Sequence, residues 1–121
     1  NSHSVVLRIQ YGRHQFLFMG DGTAFTEQEL LRSSGVELAA DVVKVGHHGS
    51  ATSSTPEFIK QVVRRKTKAV VSVAERNVYG LPNEGVLGRW RYFGADILET
   101  RSEGAILFTS DSQSLSRVHW R

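Results

Sequence analysis

The 121-residue sequence contains no cysteine, only two prolines and a single methionine. Without cysteine the chain has neither disulfide bonds nor a zinc site built on thiolates, so any metal site must use histidine, aspartate or glutamate. Its apolar runs are only a few residues long, whereas a membrane-spanning helix needs roughly 20 apolar residues. Hydrophobic residues make up 40% and charged residues 22%. This is the composition of a globular domain, and it argues against disorder, collagen and coiled coil.

The charge balance is modestly positive, with 15 Lys and Arg against 12 Asp and Glu and a net charge of +3. Such a charge permits binding to nucleic acid or phosphate but does not require it. Four cations lie close together in the sequence, at Arg64, Arg65, Lys66 and Lys68. They are candidates for contacts with the phosphates of DNA. Alternatively, they are solvated residues at the end of a helix, where positive charge offsets the helix dipole.

Apolar patterning predicts seven strands. The first two form an antiparallel hairpin, and three strands are apolar on both faces and should be covered on two sides. The predicted strands span 4–10, 15–20, 42–45, 69–74, 96–99, 105–109 and 114–120. The strands that are apolar on both faces are 15–20, 42–45 and 69–74.

Three helices are predicted between these strands. Thr26 and Glu29 form a capping box that opens a helix ending near Ser33, and Thr55 followed by proline opens a second helix. The third helix spans 83–93 and carries an apolar stripe. Strands and helices alternate, and no repeat or linker interrupts the chain. We therefore expect an α/β fold in which residues 1–121 form a single unit.

Ligand-type side chains follow two of the buried strands. Asp21 comes after the apolar strand 15–20, and His47 and His48 come after the strand 42–45. If these strands are parallel neighbours, the three residues meet at one edge of the sheet. Carboxylate and imidazole suit zinc, manganese or iron. The alternatives are a simple Gly-Asp-Gly turn and an exposed histidine pair.

Two further residues are candidates for the same site. Ser50 opens a hydroxyl-rich run and is able to hydrogen-bond phosphate oxygens, whereas Ser54 and Thr55 are better explained as caps of the following helix. Asn77 lies in a loop containing glycine and proline that follows another buried strand. As structure alone, this segment is only a loop.

These residues carry a family resemblance. Gly20-Asp21 after an apolar strand, the segment DVVKVGHHGSATSS and the tetrapeptide NVYG resemble the metallo-β-lactamase fold. More narrowly, they resemble the C-terminal domain of ComEC-type competence DNA-uptake proteins, and the resemblance extends over nearly the whole chain. It implies an αββα sandwich of which this chain is the C-terminal half, with a mixed sheet and helices on one face.

The resemblance also implies a site with two divalent metals, zinc or manganese. Asp21 and His48 would be metal ligands, and His47 would contact a phosphate or the leaving group. His47, Ser50 and Asn77 are the candidate catalytic residues, and Ser50 and Asn77 are also candidates for substrate binding. The implied activity is phosphodiester hydrolysis of DNA during competence-related uptake. The implied parent protein lies in the cell membrane and carries this domain on the extracytoplasmic side. Alternatives are a non-catalytic DNA-binding module, a purely structural domain, or a hydrolase of another phosphoester such as phosphorylcholine.

The sequence departs from this family in two respects. The motif His-x-His-x-Asp-His, which belongs to the N-terminal half of the fold, is absent, and Leu81 stands where relatives carry histidine in Tyr-Gly-His-Pro. Since zinc sites take three or four protein ligands, Asp21 and one histidine do not suffice for two metals. We expect this chain alone to be inactive and to bind few metal ions or none. We also expect its uncovered sheet face to pack on the missing half or on a second copy.

Overall fold

The computed structural model describes residues 4–33 and 35–119 and has a five-stranded mixed sheet at its centre. Its strands are β1 (Leu7–Tyr11), β2 (His14–Phe18), β3 (Ala40–Lys44), β4 (Val63–Val71) and β5 (Asp96–Glu99), in that spatial order. β1 and β2 form an antiparallel hairpin, and every later neighbour is parallel. A separate antiparallel pair consists of β6 (Leu107–Ser110) and β7 (Leu115–Val118). The predicted α/β class with a mixed sheet is confirmed.

The helices are α1 (Ala24–Arg32), α2 (Pro56–Val62), α3 (Glu84–Tyr92) and the short α4 (Thr100–Glu103). A 3₁₀ segment, Gly46–Gly49, follows β3. The third predicted helix is confirmed, and the Asn83 side chain caps it by accepting a hydrogen bond from the Val86 N–H at 3.1 Å. No helix among the described residues has the length and apolarity needed to cross a membrane.

One face of the sheet forms the hydrophobic core with the helices, as expected. Alternate residues of the three central strands and of the positions directly after them are buried in this core: Leu17, Met19, Val43, Val45, Ala69 and Val71. The helices contribute buried residues to the same cluster: Phe58, Ile59 and Val62 from α2, and Val86, Leu87 and Trp90 from α3.

The opposite face of the sheet is apolar and partly open. Residues of the strands, together with Ile106 and Phe108, line a groove of about 530 Å³ there. Phe18 and Ile9 in this groove are 38% and 43% exposed. The β6–β7 pair covers one end of the face, where His14 Nδ1 lies 2.6 Å from Ser110 Oγ. The packing of the missing half or of a second copy on the rest of this face stays a prediction.

The start of α1 differs from the prediction. The helix begins at Ala24, and its N-cap is Thr23, whose backbone N–H donates to Thr26 Oγ1 at 3.4 Å. Thr26 is therefore at the third helical position, and the predicted capping box was wrong in register. Glu29, its predicted partner, instead forms an exposed ion pair with Arg32 at 3.0 Å.

The start of β4 also differs, because the strand begins at Val63 directly after α2. In the first half of β4, Thr67 is fully buried and donates through Oγ1 to the Ala40 carbonyl at 2.7 Å. The sheet register shifts at this point. The basic residues that follow Val63 therefore lie in β4 rather than on a helix.

Smaller differences lie at the ends of the chain. β1 begins at Leu7 rather than at Ser4, and Val5 before it is 81% exposed. α4 was not predicted. The predicted last strand is observed over Leu115–Val118, and its end at Trp120 lies outside the described residues.

Candidate functional site

Asp21 and His48 meet at the carboxyl edge of the sheet. β2 and β3 are parallel neighbours, with Phe18 opposite Lys44, so the loops that follow them leave the sheet side by side. Asp21 Oδ1 lies 3.4 Å from His48 Nε2, and the two side chains are 51% and 44% exposed. The expectation that these residues come together is confirmed.

The two loops are joined through their backbones. The His47 N–H donates to the Gly20 carbonyl at 3.0 Å. A Cβ atom at Gly46 would lie only 2.5 Å from the Gly22 carbonyl oxygen. Glycine is therefore required at position 46, because any side chain would push the Asp21 loop away from the histidine loop.

Both histidines have left-handed backbone conformations. His47 has φ 50° and His48 has φ 55°, and Gly49 follows with φ 76°. Left-handed conformation at a residue other than glycine costs on the order of 1–3 kcal/mol, and such strain is concentrated at functional sites. The hydrogen bond from the Ser50 N–H to the His47 carbonyl, 2.9 Å long, holds this turn.

The orientation of the His48 ring is fixed by a backbone group. His48 Nδ1 lies 2.7 Å from the carbonyl oxygen of Ser72, which follows β4. A carbonyl only accepts hydrogen bonds, so Nδ1 carries a hydrogen and donates it, and the ring turns Nε2 towards Asp21 Oδ1. A histidine whose other nitrogen donates to a backbone carbonyl is typical of metal ligands.

The separation of Asp21 Oδ1 and His48 Nε2 fits a shared cation. Zinc bonds to histidine nitrogen and carboxylate oxygen are about 2.0–2.2 Å long, and a tetrahedral site holds two such atoms about 3.4 Å apart. The observed separation is 3.4 Å. Among residues 4–33 and 35–119, no group of three or more His, Asp or Glu is arranged to hold a metal ion. A tight site on this pair therefore needs further ligands.

His47 and Ser50 lie in one hydrogen-bonded chain, through Thr52. His47 Nδ1 lies 2.9 Å from Thr52 Oγ1, which lies 3.0 Å from Ser50 Oγ. The His47 and His48 rings are adjacent, with centroids 6.4 Å apart. The structure thus brings His47 and Ser50 beside the pair of Asp21 and His48. Thr52, which links them, was missed.

The Asn77 side chain is occupied by its own loop. Its Nδ2 donates to the Leu81 carbonyl at 2.9 Å, and its Oδ1 accepts from the Leu81 N–H at 2.8 Å. Asn77, Leu81 and Tyr79 line a cleft of about 340 Å³ together with His48. Asn77 is thus near the site, and its observed contacts hold the loop that forms one wall. Its contact with a substrate stays a prediction.

Glu27 anchors the histidine loop and was missed by the sequence analysis. It is 1% exposed, and its carboxylate accepts hydrogen bonds from the backbone N–H groups of Ser54 at 2.6 Å and Thr55 at 2.8 Å. Burial raises the pKa of the Glu27 carboxyl, and these hydrogen bonds oppose the shift. To predict this role from the sequence, the register of α1 that places Glu27 in the interior would have to be known.

The predicted caps of α2 act differently from what was expected. The Ser54 side chain accepts a hydrogen bond from Trp90 Nε1 at 2.9 Å instead of capping the helix. Thr55 occupies the N-cap position, but its hydroxyl makes no capping hydrogen bond. The buried carboxylate of Glu27 binds the N–H groups at this end of the loop instead.

The basic residues lie at the other end of the sheet. Arg64, Arg65, Lys66 and Lys68 occupy the amino half of β4, whereas Ser72, which binds His48, follows its carboxyl end. Lys68, the last of them, precedes Ser72 by four residues, which is roughly 13 Å of extended strand. The structure therefore does not bring the basic residues to the Asp21 and His48 edge. Their contact with DNA stays a prediction.

Comparison with known proteins shows similarity to segments of much longer chains. The sequence is 37% identical to Competence protein ComA of Neisseria gonorrhoeae over 89% of this chain. It is 35% identical to ComE operon protein 3 of Bacillus subtilis over 89%, and 33% identical to Recombination protein 2 of Haemophilus influenzae over 88%. The chain spans only 13–15% of the length of these relatives. No family model and no solved structure matches it.

Proposed function

We propose that this chain is the C-terminal half of a metallo-β-lactamase-like hydrolase domain that cleaves phosphodiester bonds in DNA. The observation that carries the proposal is the pair formed by Asp21 Oδ1 and His48 Nε2 at 3.4 Å, with His48 oriented by the Ser72 carbonyl. A carboxylate and an imidazole held this way at a strand edge are suited to ligating a divalent cation.

In this proposal Asp21 and His48 would hold zinc or manganese, and the intact domain would use two metals with further ligands from outside this chain. Such metals supply an activated water and stabilise charge that develops on the phosphate. His47 and Ser50, joined through Thr52, would hydrogen-bond phosphate oxygens beside the metal edge. Asn77 would shape the wall of the cleft by holding its loop.

The biological role in the proposal is competence-related DNA uptake. One similar protein is named a competence protein, a second a recombination protein and a third a product of the ComE operon. Because the chain spans about a seventh of their length, the proposal extends to a long parent protein. We place that parent in the cell membrane, with this domain on the extracytoplasmic side.

A second candidate function is DNA binding without catalysis, and Leu81 favours it. Leu81 lines the same cleft as His48, at the position where the family resemblance expects histidine. Its isobutyl group neither ligates a metal nor transfers a proton. DNA binding that is sensitive to salt and indifferent to metal would distinguish this function from hydrolysis.

Metal analysis of purified protein tests the proposal. We expect the chain, in equilibrium dialysis against zinc or manganese, to bind a small amount of metal weakly, and to lose that binding in Asp21→Asn and in His48→Gln. Asp96→Asn is the matched control, because Asp96 is an exposed aspartate on β5 that pairs with Lys68. Metal retained equally by Asp21→Asn and the unmodified chain would contradict the proposal.

A further inference from the structure

A second concave site lies at the amino end of the parallel strands, away from Asp21 and His48. It is a cleft of about 250 Å³ between the main sheet and the β6–β7 pair. Its wall includes Arg65, Lys66 and Lys68 from β4, Asp41 from β3, Phe108 from β6 and Arg117 from β7. We call this the basic cleft. Cations that are about 50 residues apart in sequence converge there.

The cations of the basic cleft differ in how they are partnered. The side chains of Arg65 and Lys66 form no hydrogen bond or ion pair within the part of the chain that the structure describes. Lys68 pairs with Asp96 at 2.6 Å, and Arg117 pairs with Glu103 at 2.7 Å. The Nε atom of Arg117 is buried and has no hydrogen-bond partner among the described residues.

The negative charge of Asp41, the carboxylate in the wall of the basic cleft, is already neutralised by its own partners. Asp41 Oδ2 accepts a hydrogen bond from the Gln15 N–H at 2.8 Å and lies 3.7 Å from Arg64 Nη1. Arg64 therefore neutralises Asp41 rather than facing a ligand. Arg65 has no ion-pair partner among the described residues. Lys66 forms no direct ion pair there, although Lys68 and, more weakly, the charge of Lys66 lower the pKa of Asp96.

The backbone at Lys66 is strained. Lys66 has φ 65°, a left-handed conformation that a lysine rarely adopts. The neighbouring Thr67 is fixed in the interior by its hydrogen bond to the Ala40 carbonyl. The turn places Lys66 in the wall of the basic cleft with Arg65, at an energetic cost that is typical of functional positions.

We propose that the basic cleft binds backbone phosphates of a nucleic-acid strand. Arginine presents a planar fork of N–H donors that matches phosphate oxygens, and Lys66 adds a point charge. Phe108 in the same wall offers a ring on which a base of a single strand can stack. The cations face a concave space, which suits a strand better than a planar membrane surface.

This inference rests on the proposed nucleic-acid substrate but not on metal chemistry at Asp21 and His48. Because the two sites lie at opposite ends of the parallel strands, the basic cleft would hold the nucleic-acid strand at a distance from the metal edge. Binding in the cleft should therefore persist in the presence of a chelator.

The test measures binding of a fluorescein-labelled 20-nucleotide single-stranded DNA by anisotropy, in EDTA, at several salt concentrations. We expect R65Q/K66Q to bind about tenfold more weakly and to lower the magnitude of the salt slope by about 1.4, corresponding to two lost phosphate contacts. R117Q should also weaken binding severalfold. The charge-matched control K60Q/R91Q changes two exposed helical cations and should stay close to the unmodified chain.

Three results would overturn the inference. Equal losses in K60Q/R91Q and R65Q/K66Q would mean that net charge alone attracts DNA. Unchanged affinity in R117Q would mean that β7 contributes nothing and that the cleft is not the site. Unchanged DNA binding in R65Q/K66Q, with lost binding to phosphatidylserine vesicles, would indicate a membrane partner instead.

The same assay separates this inference from the proposed hydrolase. D21N should bind the oligonucleotide in EDTA as tightly as the unmodified chain, because Asp21 is remote from the basic cleft. D21N tests only the metal site, so the loss of its metal does not alter the DNA binding expected in EDTA. R65Q/K66Q tests only the basic cleft, so its failure to weaken DNA binding would leave the outcome of the metal analysis as it stands. Thermal unfolding of each variant checks that its fold is retained.

Discussion

The Nδ1 atom of His48 donates a hydrogen bond to the carbonyl oxygen of Ser72 at 2.7 Å. This contact joins the loop after β3 to the end of β4 and turns Nε2 towards Asp21, which comes from the loop after β2. Three adjacent parallel strands thus contribute to a single pair of ligand atoms. The chemistry proposed for the chain depends on how accurately these loops are held.

Gly46→Ala should separate the two loops. The added methyl group would lie 2.5 Å from the Gly22 carbonyl, so we expect a loss of stability of about 1–3 kcal/mol and weaker metal binding. Gly88→Ala is the control, because nothing lies within 4 Å of its Cβ position in α3. It should stabilise the protein by about 0.5–1 kcal/mol. Urea unfolding measures both, and equal stability of the two variants would refute the close-approach explanation.

Glu27→Gln should alter the dependence of stability on pH. Because the pKa of Glu27 is raised by burial, the folded state holds more protons than the unfolded state just above pH 4.5. The stability contributed by this group is fully present below pH 4.5 and is lost as the pH rises through the folded-state pKa. The free energy of unfolding of the unmodified chain, minus that of Glu27→Gln, should therefore decrease from pH 4 to neutral pH.

Urea unfolding at a series of pH values measures this difference. Glu29→Gln is the matched control, since Glu29 lies on the same helix but is exposed and paired with Arg32. Its effect should be small at every pH. A flat difference for Glu27→Gln across the range would mean that burial does not control the protonation of Glu27.

Leu81→His should strengthen metal binding. Leu81 shares a cleft with His48, so an imidazole there would add a ligand-type group to the edge that Asp21 and His48 form. We expect the apparent metal affinity to rise by about tenfold. Val78→His is the control, because Val78 is 91% exposed in the same loop and does not line that cleft. Titration calorimetry with zinc measures both variants, and equal gains would rule out a specific contribution at position 81.

The open apolar face should bind a hydrophobic dye or cause self-association. Phe18→Gln should reduce dye fluorescence, because Phe18 lines the apolar groove and is 38% exposed. Phe25→Gln is the control, since Phe25 is 55% exposed on α1 outside that groove. Sedimentation velocity reports the oligomeric state. A monomeric unmodified chain that binds no dye would contradict the expectation that another half-domain or second copy covers this face.

Local patterns in the sequence predict the part of the site that depends on strand order. Asp21 and His48 each follow an apolar strand, and parallel pairing of those strands is enough to bring them together. The capping box was misplaced by three residues because Thr23 and Thr26 are both suitable N-caps, and packing of Glu27 against the histidine loop decides between them. That packing is a long-range contact, which local patterns do not encode.

The basic cleft also depends on long-range contacts that local sequence patterns do not encode. Arg65 and Lys66 stand out in the sequence, but Arg117 joins them only because β6 and β7 fold back over the main sheet. Their separation from Asp21 follows from their place in the amino half of β4, whereas Asp21 and His48 follow the carboxyl ends of β2 and β3. Charge clustering in the sequence therefore identified candidate residues but not their position relative to the metal edge.

The most direct test of the central claim is NMR line broadening by Mn²⁺. Paramagnetic broadening reports where a cation resides even when affinity is low, which suits a site that has two ligands in this chain. We predict that Mn²⁺ broadens the signals of Asp21 and His48 first, and that this pattern disappears in Asp21→Asn but persists in Asp96→Asn. Broadening spread evenly over surface carboxylates, or unchanged at His48 in Asp21→Asn, would contradict a cation site at this edge.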